Sequence, residues 1–109
     1  MASTTDLHAF ASALADGSPV VDVREPDEYA DAHVPGARLI PMGQLPDRAG
    51  EIDPATRTYL ICKSGGRSLR AAEYLTGRGF DVVSVDGGTD GWVAQGHPYA
   101  TGPEPGVVR

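Results

Sequence analysis

The chain alternates apolar runs of strand length with segments of helical character, and glycine or proline marks most of the junctions. The runs predicted as strands are 20–23, 37–40, 58–62 and 81–85. The segments predicted as helical are 8–15, 25–30, one that begins at Ser68 and ends at Gly77, and 86–95, with room for one or two helical turns over 41–52. Alternating strands and helices are typical of an α/β fold.

The clearest strand, 58–62, is an apolar and β-branched run without alternation, which indicates a central parallel strand covered on both faces. A glycine-containing loop follows it, and Ser68 is the predicted N-cap of the next helix. In that helix Leu69, Ala72 and Leu75 fall on one stripe at helical spacing. We therefore expect these three side chains to face the core.

Length and charge narrow the class of protein. A chain of 109 residues forms one domain, which we predict over 1–98, with a flexible tail over 99–109 that is rich in Gly and Pro. The formal net charge of −6 argues against binding to nucleic acid or to an anionic membrane, because both depend on clustered Lys and Arg. No window approaches the roughly 18–20 apolar residues of a membrane helix. The first six residues are polar and carry no positive charge, so we expect a cytoplasmic protein without a secretory signal.

Cys62 is the single cysteine of the chain. A chain with one cysteine can form neither an intramolecular disulfide nor a Cys-rich zinc site, and this low cysteine content is typical of proteins in a reducing compartment. The three histidines show no ligand spacing, so we expect neither a metal nor a cofactor.

The position of Cys62 indicates a reactive side chain. It stands at the carboxyl end of the predicted central strand, where ligands of open α/β sheets bind. Gly65 and Gly66 permit backbone angles that direct several N–H groups at one spot, and the following helix adds the positive end of its dipole. These groups stabilise an anion at the sulfur. We therefore expect the pKa of Cys62 to lie below the free value of about 8.5, which makes the residue a nucleophile.

The competing interpretation is structural, since a lone cysteine at the end of an apolar strand is more often a buried, unreactive core residue. The six residues after Cys62 contain two glycines, two hydroxyls and two cations. Such residues pack poorly in a core and suit an anion-binding loop. The neighbours therefore favour a reactive cysteine.

The loop CKSGGRS at 62–68 resembles the active-site loop of the rhodanese, or sulfurtransferase, family. Two flanking segments agree with it: VVDVREPDEYADAHVPGARLIP at 20–41 and DGGTDGWVAQGHP at 86–98. The resemblance covers roughly residues 6–98 and implies a three-layer α/β/α fold with a central, mostly parallel sheet. The segment before Leu7 is short, so a sheet of four strands and one of five both remain open.

The resemblance also implies an activity. It implies that Cys62 accepts a sulfane sulfur from a small donor such as thiosulfate and forms a persulfide, whose outer sulfur passes to cyanide, a small thiol or the thiol of a partner protein. Four residues separate Cys62 from Arg67, whereas the related dual-specificity phosphatases carry five, and the smaller loop favours sulfur over phosphate. The predicted function is thiosulfate sulfurtransferase. The alternative is a persulfide carrier or protein-interaction module with little thiosulfate:cyanide activity.

The resemblance assigns Cys62 as the nucleophile and sulfur carrier. The predicted substrate-binding residues are Lys63, Ser64, Gly65, Gly66, Arg67 and Arg24, and the predicted structural supports are Asp22 and Ser68. Arg67 either braces the loop or contacts the substrate directly, and Lys63 either attracts the anionic donor or is a solvated charge. The nearby carboxylates are expected on a solvated helix face: Asp27, Glu28 and Asp31.

Overall fold

The computed structural model describes residues 2–106. Its strands are β1 (Ser3–Thr5), β2 (Val20–Asp22), β3 (Arg38–Leu39), β4 (Thr58–Ile61) and β5 (Val82–Val85). Its helices are α1 (Leu7–Ala15), α2 (Pro26–Asp31), α3 (Leu45–Arg48), α4 (Gly66–Thr76) and α5 (Gly88–Ala94), and the 3-10 turns Met42–Gln44 and Ala49–Glu51 flank α3. The predicted α/β alternation is confirmed.

The strands form one parallel sheet in the order β1-β5-β4-β2-β3. β4, which ends directly before Cys62, lies at its centre between β5 and β2. β1 completes one edge, where Ser3 pairs with Val83 and Thr5 with Val85. The sheet therefore has five strands, because the short N-terminal segment is long enough to add an edge strand to β5.

Two apolar cores, one on each face of the sheet, produce the three layers. On one face Leu60 packs with Ala72 and Leu75 of α4. On the other face Phe10 of α1 packs with Trp92 of α5, and their rings meet edge to face at a centroid distance of 5.4 Å. The central strand β4 is thus covered on both sides, and its carboxyl end lies between two helical layers.

Helix α4 begins two residues before the predicted N-cap. Its N-cap is Gly65, in the left-handed region with φ of 119°. Ser68 lies inside the first turn and is buried, so the prediction that it caps the helix was wrong. Ala72 and Leu75 are buried as predicted, but Leu69 is 37% exposed. The prediction for Leu69 was wrong because the face that meets the sheet includes Ser68 and leaves Leu69 at its margin.

The described part of the C-terminal tail contacts the domain. The backbones of His33 and Ala100 exchange two hydrogen bonds, of 2.9 and 2.8 Å. The buried ring of His33 lies 2.9 Å through Nε2 from the carbonyl oxygen of Glu104. These contacts attach residues 100–105, where the sequence predicted a flexible tail over 99–109. The last three residues lie outside the described part of the chain.

Candidate active site

The chain leaves β4 at the centre of the sheet and turns into α4 directly after Cys62. Cys62 is 1% exposed. The N–H of Gly65 donates to its sulfur at 3.1 Å, and the hydroxyl oxygen of Ser68 lies 3.4 Å from the sulfur. Because the sulfur lies at the N-terminus of α4, the helix dipole also favours negative charge on it.

The N-terminus of α5 fixes the backbone at the base of this loop. The N–H of Thr89 donates to the carbonyl of Cys62 at 2.8 Å, and the N–H of Asp90 donates to the carbonyl of Lys63 at 3.0 Å. Gly88 allows this approach, since a Cβ there would lie 2.5 Å from the carbonyl oxygen of Lys63. With these two carbonyls bound to α5, the next amides of the loop are directed at the sulfur.

Two effects act in opposite directions on the pKa of Cys62. Burial raises it, because the thiolate loses its contact with water. Hydrogen bonds from the Ser68 hydroxyl and from the backbone N–H groups of Ser64, Gly65 and Ser68 lower it, and the net pKa lies below that of an ordinary cysteine. The direction agrees with the sequence-based expectation. This loop therefore favours a nucleophilic thiolate.

A buried serine pair orders the hydroxyl beside the sulfur. Oγ of Ser68 lies 3.2 Å from the carbonyl oxygen of Gly65 and 2.8 Å from Oγ of Ser84 in β5. The Ser84 hydroxyl can donate to Ser68, which leaves the Ser68 proton for the carbonyl or for the thiolate. Ser84 gave no sequence signal beyond its place in a strand.

Arg67 forms a bidentate ion pair with Glu28 of α2. Nη1 and Nη2 donate to Oε1 and Oε2, each at 2.8 Å. These bonds lower the pKa of Glu28 to about 2, and the same carboxylate raises the pKa of Arg67. The expectation that Glu28 belongs to a purely solvated face was wrong, because Arg67 reaches it across 39 positions of sequence. The pair ties the first turn of α4 to α2.

Arg24 and Asp22 form a second, buried pair at the end of β2. The Arg24 side chain is 6% exposed and that of Asp22 is 0% exposed. Nε and Nη2 of Arg24 lie 3.0 and 2.8 Å from the carboxylate oxygens of Asp22, and Nη2 also donates to the carbonyl of Ala32 at 2.7 Å. Asp22 thus balances the Arg24 charge, and two of the three guanidinium nitrogens are already engaged.

A groove with a volume of about 420 Å³ opens beside the loop, between α2 and α5. Lys63, the residue directly after Cys62, lies on one side of it. Arg24 and Glu28 also line it, together with residues from both helices. The groove gives a small molecule or a protein segment a place beside the nucleophile.

The structure gathers the predicted site residues into one region at the carboxyl edge of the sheet. Residues 62–68 form the loop and the first turn of α4, and Asp22 and Arg24 follow at the end of the neighbouring strand. Three of the predicted binding residues are exposed: Lys63, Ser64 and Gly66.

Sequence reasoning missed Glu28 and Thr89. The sequence of α2 carries a signal for Glu28 only as the N3 residue of a capping box with Glu25. Within residues 2–106, no group of three or more His, Cys, Asp or Glu side chains could hold a metal ion. In the same part of the chain, none of the helices has the length and apolar character required to cross a membrane.

Comparison with known proteins agrees with this geometry. The family described as Rhodanese-like domain matches residues 6–95. Thiosulfate sulfurtransferase GlpE of Pseudomonas putida is 41% identical over 80 residues, which cover 72% of this chain and 73% of that protein. A protein named Sulfurtransferase from Allochromatium vinosum is 35% identical over 101 residues, covering 90% of this chain and 94% of that protein.

A solved structure has the same fold. The crystal structure of a rhodanese-related protein from Thermoplasma volcanium superposes with a TM-score of 0.84 at 27% identity, covering 89% of this chain and 96% of that one. The resemblance that the sequence motifs suggested, and the fold that it implied, are confirmed. This chain belongs to the rhodanese-like domain family.

Proposed function

We propose that this protein is a thiosulfate sulfurtransferase that carries a sulfane sulfur on Cys62. The observation that supports this most directly is the environment of the sulfur, which receives the N–H of Gly65 at 3.1 Å and lies beside the Ser68 hydroxyl. A persulfide places negative charge on its outer sulfur, and N–H groups directed at the loop centre stabilise that charge. The relative from Pseudomonas putida carries the name of the same activity.

The first half-reaction loads the sulfur. The Cys62 thiolate attacks the outer sulfur of thiosulfate, a new S–S bond forms at Sγ, and the bond between the two thiosulfate sulfurs breaks. Its electron pair leaves with sulfite, so the products are a Cys62 persulfide anion and SO₃²⁻. A lowered pKa of Cys62 favours this step because it raises the thiolate fraction at neutral pH.

The second half-reaction must be intermolecular. Cys62 is the single cysteine of the chain, so no second thiol of the same molecule can take the sulfur. The acceptor is cyanide, a small thiol or a thiol of a partner protein. Release of sulfite before the acceptor reacts gives ping-pong kinetics.

The two cations of the loop have different parts in this proposal. Arg67 is a positioning residue, because its bidentate pair with Glu28 holds the helix start in place. Lys63 is exposed at the groove and is the candidate for attracting the thiosulfate or sulfite anion. Arg24 is a weaker candidate for that role, since Asp22 balances its charge.

The test is intact-mass analysis combined with turnover. Wild-type protein and Cys62→Ser are incubated with thiosulfate, their masses are compared for one added sulfur atom, and cyanide is then added while thiocyanate is followed. Sulfur gained and discharged by the wild type alone supports the enzyme. A wild type that gains no sulfur from thiosulfate contradicts it and favours the alternative, a carrier loaded by a donor protein.

A further inference from the structure

The charges around the groove between α2 and α5 are not evenly balanced. Two of its charged residues are already paired outside the groove: Arg24 with Asp22 and Glu28 with Arg67. The other charged residues that line it are Lys63, Asp31 and Asp90, and these have no ion-pair partner within residues 2–106. The groove therefore carries one cation and two unpaired carboxylates.

The two carboxylates come from different helices. Asp31 is the last residue of α2 and Asp90 lies in the first turn of α5, and both are exposed. A ligand in the groove thus meets negative charge from both flanking helices. Lys63 lies at the loop itself, next to Cys62, where an anionic donor is required.

A second observation concerns a buried hydroxyl in the groove wall. Thr89 lines the groove and is 2% exposed, and its hydroxyl oxygen has no hydrogen-bond partner in the described chain. A buried hydroxyl without a partner is costly unless a bound group satisfies it. Its neighbours on the same wall, Val93 and Ala94, are apolar. The wall thus combines an apolar surface with a buried hydroxyl that has no partner in the described chain.

We infer that the sulfur acceptor is a thiol that carries a positively charged group, which Asp31 and Asp90 select from opposite sides of the groove. This inference rests on the proposed function, because it concerns the discharge of the Cys62 persulfide. The positive group of the acceptor is attracted to the two carboxylates while its sulfur approaches the loop. Acceptors with a negative group are disfavoured by the same two charges.

The discharge step balances without any further reagent. The acceptor thiol gives its proton to the outer sulfur of the Cys62 persulfide anion. The resulting acceptor thiolate then attacks that outer sulfur, and a new S–S bond forms on the acceptor. The bond between Sγ of Cys62 and the outer sulfur breaks, and its electron pair returns to Sγ as the thiolate. The outer sulfur leaves with its proton as the acceptor persulfide, so one sulfur moves and no external oxidant or reductant is consumed.

The test separates loading from discharge. Wild type, Asp31→Asn and the double variant Asp31→Asn/Asp90→Asn are loaded with either thiosulfate or inorganic polysulfide, and the added sulfur is confirmed by intact mass. The loaded proteins are then discharged by cysteamine, 2-mercaptoethanol or 3-mercaptopropionate, which carry positive, zero and negative charge. Each rate constant is divided by that of the wild type with the same thiol, so the intrinsic reactivity of the thiol cancels. Asp16→Asn is the matched control. Asp16 precedes β2 and so lies at the amino edge of the sheet, opposite the carboxyl edge where the groove opens.

At low ionic strength the double variant is expected to discharge about three- to fivefold more slowly to cysteamine and about three- to fivefold faster to 3-mercaptopropionate, with 2-mercaptoethanol unchanged. Both effects shrink in high salt, and Asp16→Asn shows neither. An equal response to all three thiols overturns the inference and leaves the proposed function in place. Loading by polysulfide but not by thiosulfate refutes the proposed donor, and the thiol comparison still decides the inference. No loading by either donor refutes both.

Discussion

Replacing Glu28 by Gln removes one charge from the pair that ties α4 to α2. The Arg67 guanidinium lowers the pKa of Glu28 from 4.5 to about 2, which corresponds to at most about 3.4 kcal/mol at 1.36 kcal/mol per pKa unit. The two side chains are 31% and 28% exposed, so screening by water reduces the contribution. We expect Glu28→Gln to lower the free energy of unfolding at pH 7 by about 1–2 kcal/mol.

The contribution of the Glu28–Arg67 pair to the free energy of unfolding depends on pH, and the pKa of Glu28 sets the direction of that dependence. The folded-state pKa of Glu28 lies below its unfolded value, so the stabilisation is complete above pH 4.5 and is lost as the pH falls toward 2. About 40% of it remains at pH 3. Urea denaturation of the wild type and Glu28→Gln should therefore show midpoints that differ by about 1 M at pH 7 and converge on acidification.

The matched control is Glu73→Gln, an exposed glutamate of α4 whose side chain has no ion pair in the part of the chain that the structure describes. Its effect should stay within about 0.5 kcal/mol at every pH. A gap between the wild type and Glu28→Gln that is the same at pH 7 and pH 3 would refute the argument, because it would show that the lost contact is not electrostatic.

Two further substitutions test the loop. Ser68→Ala should raise the pKa of Cys62, because the hydroxyl that stabilises the thiolate is removed. The pH profile of iodoacetamide alkylation measures this pKa without interference from other thiols, since the chain has one cysteine. An unchanged or lower midpoint of that profile contradicts the role given to the hydroxyl. Gly88→Ala should destabilise the protein by about 2 kcal/mol or more in urea denaturation, since its Cβ would lie 2.5 Å from the carbonyl oxygen of Lys63 at a φ of +57°. Gly43→Ala is the control, because a Cβ at Gly43 has no atom within 4 Å; it should change stability by less than about 1 kcal/mol. Similar urea midpoints for Gly88→Ala and Gly43→Ala would show that stability does not need the close approach of Gly88 to the Lys63 carbonyl.

Two internal ion pairs reduce the positive charge that the proposed site offers to a substrate. Arg67 and Arg24, which the sequence analysis predicted to bind substrate, are instead engaged in ion pairs with Glu28 and Asp22. Lys63 is left as the cation at the groove that has no ion pair in residues 2–106. A substrate anion therefore meets a more weakly positive site than a count of basic residues suggests.

The sequence by itself determined the features that depend on neighbouring residues. The short apolar and β-branched run at 58–62 predicts a central strand because a strand buried on both faces lacks polar alternation. Cys62, followed by two glycines and a helix, predicts a thiolate at a helix N-terminus, and the lowered pKa has the predicted direction. The motifs at 20–41, 62–68 and 86–98 identified the family because their residues stand at fixed local spacing.

Only the tertiary structure decided which distant groups meet. Glu28 and Arg67 are separated by 39 positions, and no periodicity in α2 indicates which of its carboxylates faces α4. Leu69 is exposed because the packing of α4 on the sheet, and not its spacing from Leu75, sets the buried face. The N-terminus of α5 binds the carbonyls of Cys62 and Lys63 through contacts between segments that are far apart in the chain. A local pattern sets which backbone conformation a segment prefers, whereas charge pairing and burial depend on the position of every other segment.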